Sequence, residues 1–407
     1  MDRVIFHCDC NSFYASVELL SHPELRERPV AVCGDPASRH GIILAKNEAA
    51  KAFGVKTAET IWQARQKCPG LVLLPSHHRL YEEYSKKVNA IYERFTDLIE
   101  PFGIDESWLD VTGTLHLFGG DPRALADRIR AEVKGELGLT VSVGVSFNKV
   151  FAKLGSDYKK PDATTVITVE DIPTIVWPLP VTDLLFVGRA AAGVLRQYGV
   201  ETIGQLAAFD RDALVTLLGK QGGQLWAYAN GLENSPVAPA GQYVPPKSVG
   251  NGFTFPRNLT TRDEVHRGLA VLCDEVAARL RKDGLKASTL QVVIRDPAFH
   301  DLCRQRPLKV PTYLARELTA AAADIVAQSW GGGPIRALTV TAQNLVPEDE
   351  AADQLGLFDA QTPARRDRQE KLEHTIDAIR ARYGQSALRS GAAAPPPESE
   401  EDGPVPF

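Results

Sequence analysis

Two neighbouring carboxylates have the residue types and spacing to do chemistry. Asp105 and Glu106 lie in the run GIDESWLD (103–110), and Asp9 ends an apolar stretch that begins at Val4. Burying such acids as ordinary core would be costly, whereas carboxylates at strand ends can converge on hard cations such as Mg²⁺. Three carboxylates from two strands are what a two-metal phosphoryl- or nucleotidyl-transfer site requires. The fragment alone is equally compatible with acidic surface turns.

Strands and helices alternate around these acids. Strands are predicted over residues 1–10, 28–33, 41–45, 99–104, 107–112 and 141–147, and helices over 11–20, 46–53, 61–68, 81–98, 122–137 and 149–158. This alternation predicts a mixed sheet with helices on one face and the acids at strand ends.

The rest of the chain divides into further segments. Residues 172–233 are short helices separated by glycines, which predicts either phosphate-binding helix-hairpin-helix turns or a plain helical bundle. A proline-rich linker spans 234–246. Strand–helix alternation returns over 247–345, with strands at 290–294 and 336–342 and helices over 261–282 and 312–329. Residues from 390 onward are predicted to be disordered.

Composition and charge indicate a soluble, multidomain protein. The 407 residues predict two to four domains, and no apolar run has transmembrane length. No signal peptide is recognisable, and six cysteines without paired metal spacing favour reduced thiols in a cytoplasm. Residues 347–407 carry 7 basic and 13 acidic residues (7 − 13 = −6), whereas 244–346 carry 14 and 9 (14 − 9 = +5). A basic module beside an acidic tail fits contact with a phosphate backbone.

Adjacent aromatic residues follow Asp9 at Phe13 and Tyr14. An aromatic edge at this point could pack against a nucleotide sugar and clash with a ribose 2′-hydroxyl. The alternative is that both side chains belong to the core.

Three motifs together resemble the Y-family, lesion-bypass DNA polymerases: residues 9–18, residues 104–110, and the run NKVFAKLGSDYKKP at 148–161. The resemblance covers about residues 1–385. It implies an α+β multidomain right-hand polymerase. Its parts would be a ferredoxin-like palm (1–10 and 76–166), small fingers (11–75), a helical thumb with a helix-hairpin-helix (167–233), the linker (234–246), an α/β little finger (247–346) and a tail (347–407).

The resemblance also implies roles for the acids and their neighbours. Asp9 and Asp105 would ligate two Mg²⁺ ions, and Glu106 the ion that activates the primer 3′-hydroxyl. Cys10 would contribute only its main-chain carbonyl. Asn11 stands where relatives often have Asp, a position not expected to ligate metal.

Substrate contacts follow from the same resemblance. Tyr14, beside Phe13, would be the steric gate against ribonucleotides, and Lys51 and Lys160 would reach the triphosphate. The fingers depart from the family pattern, because relatives often have Asn-Tyr-x-x-Arg where this chain has NEAAK at 47–51. Lys51 lacks the bidentate fork of Arg. Glu48 would repel a triphosphate unless it faces away or pairs with Lys46 or Lys51.

Two further positions bear on partners. Phe186 stands where the hairpin motif usually has Gly, which weakens that phosphate contact. Gln354, Leu355, Leu357 and Phe358 resemble the pentapeptide that binds the replication sliding clamp. The alternative for this pentapeptide is a tail segment that folds back on the little finger.

These features imply a cytoplasmic, monomeric enzyme with no membrane association that performs error-prone translesion synthesis without proofreading. Its substrates would be primer–template DNA and deoxynucleoside triphosphates. Three alternatives stay open. The chain could be a catalytic subunit that needs accessory proteins, or a catalytically weak scaffold recruited to the clamp. An unrelated metal-dependent nuclease is disfavoured by Tyr14 and the clamp motif.

Overall fold

The computed structural model describes residues 3–34, 41–242, 244–351, 363–384 and 387–388, and the chain forms two compact units, residues 1–243 and 244–407. The strands of the first unit are β1 (Ile5–Cys10), β2 (Val30–Cys33), β3 (Ile43–Lys46), β4 (Val72–Pro75), β5 (Ile99–Pro101), β6 (Glu106–Asp110), β7 (Val141–Ser146) and β8 (Thr164–Val166). Its helices are α1 (Phe13–Ser21), α2 (Glu48–Ala52), α3 (Ile61–Lys67), α4 (His78–Tyr92), α5 (Pro122–Leu137), α6 (Lys149–Tyr158), α7 (Arg189–Gln197), α8 (Ile203–Ala208), α9 (Arg211–Leu218) and α10 (Lys220–Ala229).

A five-stranded sheet in the order β5-β6-β1-β7-β8 carries the acids. Strand β1 pairs antiparallel with both β6 and β7. Because side chains alternate along a strand, Phe6 and Cys8 face a core with α4 and α5, whereas Ile5 and His7 face the other way. The prediction that helices cover one face is wrong, because α6 packs against β1 and β7 on that second face.

Gly144 explains how closely α6 approaches the sheet. A Cβ atom added there would lie 1.8 Å from the carbonyl oxygen of Ala152 and 2.4 Å from the backbone nitrogen of Ser156. Only a residue without a side chain fits, so the sequence VSVGVS in β7 permits this contact.

A three-stranded sheet, β3-β2-β4, forms a smaller body with α2 and α3. Helix α2 is shorter than the predicted 46–53 because Asn47 caps it, accepting a hydrogen bond from the backbone of Ala50. Helix α4 begins and ends earlier than the predicted 81–98, since turn hydrogen bonds at Arg94 and Phe95 lead the chain into β5.

Helices α7 to α10 share one hydrophobic core with Val150, Phe151 and Leu154 of α6. Gly188 precedes α7, and Phe186 has φ = 70°. That left-handed conformation is the one glycine adopts readily, so Phe186 occupies a glycine-like backbone position with a half-exposed ring.

The second unit is an antiparallel sheet in the order β11-β10-β12-β9. Its elements are β9 (Ser248–Leu259), α11 (Arg262–Lys282), β10 (Leu285–Arg295), β11 (Asp301–Thr312), α12 (Ala315–Ser329), β12 (Ile335–Pro347) and α13 (Pro363–Tyr383). Both predicted helices and both predicted strands are present, and the strands are longer. The sequence missed the two outer strands because most residues of β9 and β11 are exposed or only partly buried, and polar residues interrupt their apolar alternation.

Helix α13 was also missed, because residues 347–407 were predicted to be a tail. Ion pairs hold it to α11 and β10: Asp377 lies 2.6 Å from Arg281, Glu370 lies 3.0 Å from Lys286, and Arg380 lies 2.8 Å from Asp274. Apolar periodicity does not reveal a helix that docks through charges. The clamp-like residues 354–358 and the stretch from 390 onward lie outside the described residues. Across the described part of the chain, no helix is long and apolar enough to cross a membrane.

Candidate active site

The antiparallel pairing of β1 with β6 brings the three acids together. Asp9 lies directly opposite Glu106 in this register. Asp105 immediately precedes β6, and its carbonyl accepts a 2.9 Å hydrogen bond from the backbone of Cys10. A cavity of about 380 Å³ opens here, and its lining includes the three acids together with Cys10, Phe13, Tyr14, Lys46, Lys51 and Lys160.

The adjacent acids Asp105 and Glu106 differ in their electrostatics. Burial raises the pKa of Asp105 to about 6, and the negative charges of Asp9 and Glu106 add to the effect. Burial would also raise the pKa of Glu106, but hydrogen bonds from His7 and Lys153 outweigh it and lower this pKa to about 2. A cation between Asp9 and Asp105 would relieve their repulsion.

A lysine ammonium already lies against these acids. Lys160 Nζ is 2.7 Å from Asp9 Oδ2 and 2.7 Å from Asp157 Oδ1. Burial would lower the pKa of Lys160, but the two carboxylates outweigh burial and raise it. The site therefore attracts positive charge, and its carboxylate oxygens are the ligands that Mg²⁺ prefers.

Sequence reasoning missed His7 in this cluster. Ligand atoms of His7, Asp9 and Glu106 all lie within 4.8 Å of one another. The available signal was the two-residue period of a strand, which places residues 7 and 9 of β1 on the same face. Lys153 was quoted only as part of a motif, yet its Nζ lies 2.6 Å from Glu106 Oε2.

The two aromatic residues have different settings. Phe13 is buried in the core, whereas Tyr14 is only partly buried. The ring of Tyr14 stacks on Tyr81, with centroids 4.1 Å apart and planes at 14°. The Tyr81 hydroxyl in turn donates a 2.5 Å hydrogen bond to the buried carboxylate of Glu18. Tyr14 is thus held rigidly at the cavity wall.

Glu48, in the stretch 47–51 that departs from the family pattern, forms an ion pair with Lys51. Glu48 Oε1 lies 2.5 Å from Lys51 Nζ and accepts a 3.2 Å hydrogen bond from the Ser12 hydroxyl. Lys46 donates to Thr57 and, like Lys51, lines the cavity. Glu48 was expected to repel a triphosphate unless it faced away or paired with Lys46 or Lys51. In the structure it pairs with Lys51.

The chain is similar to known proteins along most of its length. The impB/mucB/samB family model matches residues 8–157, and the model of that family's C-terminal domain matches residues 246–357. DNA polymerase IV of Acetivibrio thermocellus is 48% identical over 392 residues, covering 96% of this chain and 97% of that protein. DNA polymerase IV 1 of Bacillus subtilis is 36% identical over 403 residues, covering 98% and 95%. A solved Y-family DNA polymerase chimera has a TM-score of 0.75 at 22% identity, covering 84% of this chain and 99% of its own.

The chain therefore belongs to the impB/mucB/samB family of Y-family DNA polymerases, and its α+β fold is that of the class. Within the family it is close to the bacterial DNA polymerases IV, and it is a DNA-directed DNA polymerase. The family resemblance seen in the sequence is confirmed.

Proposed function

We propose that this polymerase extends primers opposite damaged template bases by metal-dependent nucleotidyl transfer, is error-prone, and does not proofread. The observation that carries the proposal is the register that sets Asp9 opposite Glu106, with Asp105 beside them at a cavity lined by lysines. In the reaction the primer 3′-oxygen bonds to the α-phosphorus of a deoxynucleoside triphosphate, its proton is released, and pyrophosphate leaves.

Asp9, Asp105 and Glu106, with the main-chain carbonyl of Cys10, would hold two Mg²⁺ ions. Bound there, the ions would supply charge neutralisation and a more acidic 3′-hydroxyl. The raised pKa of Asp105 supports this assignment, because burial and the charges of Asp9 and Glu106 disfavour its ionised form unless a cation compensates them. Lys160 has the charge and position to bind the triphosphate once cations occupy the carboxylates.

Tyr14 would be the steric gate, with Phe13 packed behind it in the core. Its stacking on Tyr81 supports the role, since a gate must resist displacement by a 2′-hydroxyl. Lys51 would neutralise phosphate charge while also paired with Glu48, so its contribution is expected to be smaller than that of Arg in relatives.

We propose that the palm, fingers and thumb correspond to residues 1–10 with 76–166, 11–75 and 167–233, and that 247–346 is the little finger. Gln354, Leu355, Leu357 and Phe358 would bind the sliding clamp. The enzyme would be a cytoplasmic monomer, and the free thiols of its six cysteines are consistent with a reducing compartment.

Primer extension by the isolated full chain on undamaged and abasic templates tests the proposal. We expect Mg²⁺-dependent synthesis past the lesion, and no synthesis by Asp105→Ala or Glu106→Ala. Retained synthesis by either variant would contradict the assigned site. Synthesis only after addition of accessory proteins would favour the accessory-dependent alternative, and primer degradation without nucleotides would favour a nuclease.

A further inference from the structure

A buried histidine lies directly beside the proposed metal-binding acids. His7 is fully buried, with its ring edge-on to Trp108 at 5.4 Å. Its Nδ1 lies 2.8 Å from the Ser156 hydroxyl on α6, and its Nε2 lies 3.3 Å from Glu106 Oε2. The ring therefore bridges α6 and the first residue of β6.

The Glu106 carboxylate is held through one of its two oxygens. Oε2 accepts the hydrogen bond from Lys153 and faces His7 Nε2. Oε1 lies on the side of Gly103, where an added Cβ would be 3.4 Å away, and no described residue donates to it. Fixing Oε2 thus leaves Oε1 free to take a ligand.

The contacts of His7 favour a proton on Nε2. A neutral imidazole carries one N–H, which lies on either Nδ1 or Nε2. With that proton on Nε2, the N–H faces Glu106 Oε2 at 3.3 Å, longer than a well-formed hydrogen bond, while the Ser156 hydroxyl donates to Nδ1. With it on Nδ1, a nitrogen lone pair would face the carboxylate oxygen, and the Ser156 hydroxyl would donate to the Lys153 carbonyl, also 2.8 Å away. The first arrangement avoids that repulsion.

We propose that His7 is a positioning residue that, together with Lys153, fixes the orientation of the Glu106 carboxylate for catalysis. The inference rests on the proposed function of Glu106. Lysine alone would hold the oxygen through a flexible stem, whereas the packed imidazole supplies a fixed direction. Partners of this kind typically change metal affinity or activity about 10- to 100-fold when they are removed.

The test is a Mg²⁺ titration of single-nucleotide incorporation by the full chain with His7→Phe and His7→Gln. We expect His7→Phe to lower kcat about 10-fold or more and to raise the Mg²⁺ concentration for half-maximal rate, with a nearly unchanged KM for the nucleotide. His7→Gln retains an N–H donor and should recover part of the loss. Cys8→Ala is the matched control: Cys8 is equally buried on β1 but faces the opposite side, so its kcat and Mg²⁺ dependence should match wild type.

Wild-type kcat and Mg²⁺ dependence in folded His7→Phe would overturn the inference, as would equal losses in the Phe and Gln variants. If His7→Phe does not fold, Ser156→Ala replaces it, because that change keeps the histidine and removes only its Nδ1 partner. Ser156→Ala should shift both quantities in the same direction, and wild-type values would again overturn the inference. Absence of incorporation by the wild-type chain, or full activity of Glu106→Ala, would instead contradict the proposed function.

Discussion

Replacing Asp105 by asparagine should stabilise the metal-free protein, whereas replacing Glu106 by glutamine should destabilise it. The two acids are adjacent, but their surroundings have opposite effects on the stability of the folded protein when each acid is ionised. Asp105 is partly buried near Asp9 and Glu106 and its pKa is raised, while Glu106 interacts with Lys153 and His7 and its pKa is lowered. A neutral amide removes the repulsion in the first case and the attraction in the second.

The pKa values set upper bounds on both effects. The pKa of Asp105 rises from 3.8 to about 6, a difference of about 2.2 that corresponds to about 3 kcal/mol at 1.36 kcal/mol per unit. The pKa of Glu106 falls from 4.5 to about 2, a difference of about 2.5 that also corresponds to about 3 kcal/mol. Solvent reaches part of both side chains and screens these interactions, so we expect about 1–2 kcal/mol for each variant.

The pH dependence follows from the direction of each shift. Between pH 3.8 and about 6, Asp105 keeps a proton in the folded protein that it has already released in the unfolded chain. The destabilisation of the folded state by Asp105 therefore grows as the pH rises through this window and is constant above it. The advantage of Asp105→Asn should thus be complete at pH 7.5 and about half as large at pH 5. The stabilisation from Glu106 is complete above pH 4.5 and is lost as the pH falls toward about 2.

Urea unfolding in the presence of a chelator, at pH 7.5 and pH 5, measures these free energies of unfolding. Changes of the same sign in both variants at pH 7.5 would refute the electrostatic account of the site. A pH-independent effect of Asp105→Asn would show that the gain comes from packing and not from charge.

Three further predictions concern the gate, the second unit and the sheet. Tyr14→Ala should raise the ratio of ribonucleotide to deoxynucleotide incorporation, and an unchanged ratio would exclude Tyr14 as the gate. Arg281→Ala should cost about 3–5 kcal/mol in urea unfolding because it removes a buried guanidinium that pairs with two partly buried acids, Glu373 and Asp377. Arg279→Ala, at a half-exposed ion pair, should cost at most about 1 kcal/mol, and similar costs for the two variants would contradict the role of the Arg281 pairs. Gly144→Ala should destabilise by about 3 kcal/mol or more because its methyl group would overlap the backbone of α6, and a near-wild-type midpoint of thermal unfolding would show that α6 can move away.

The sequence predicted much of the acidic site because its information is local. Asp9 ends an apolar strand and Asp105 precedes another, so strand periodicity and metal chemistry suggested grouping them, and the family resemblance then favoured that grouping over surface turns. The partners that tune the site come from other elements. Lys153 approaches Glu106 only after α6 packs onto Gly144, and a one-dimensional pattern does not contain that contact. His7 lies on β1 and faces Glu106 through the pairing of β1 with β6.

The second unit shows a different limit of prediction from sequence. Its helices and inner strands carry apolar periodicity and were predicted, whereas in the outer strands β9 and β11 polar residues interrupt that periodicity. Helix α13 docks through charges such as Asp377 on the buried guanidinium of Arg281. Polar segments resemble solvated tails until their partners are known, so sequence reasoning assigned this helix to the tail.

The central claim is that Asp9, Asp105 and Glu106 form one nucleotidyl-transfer site. Single-turnover incorporation of one deoxynucleotide, measured with and without Mg²⁺ on wild type and Asp105→Asn, tests it most directly. We predict Mg²⁺-dependent product formation by wild type and none by Asp105→Asn, although the variant is folded and at least as stable. Product formation by Asp105→Asn at the wild-type rate would contradict the claim.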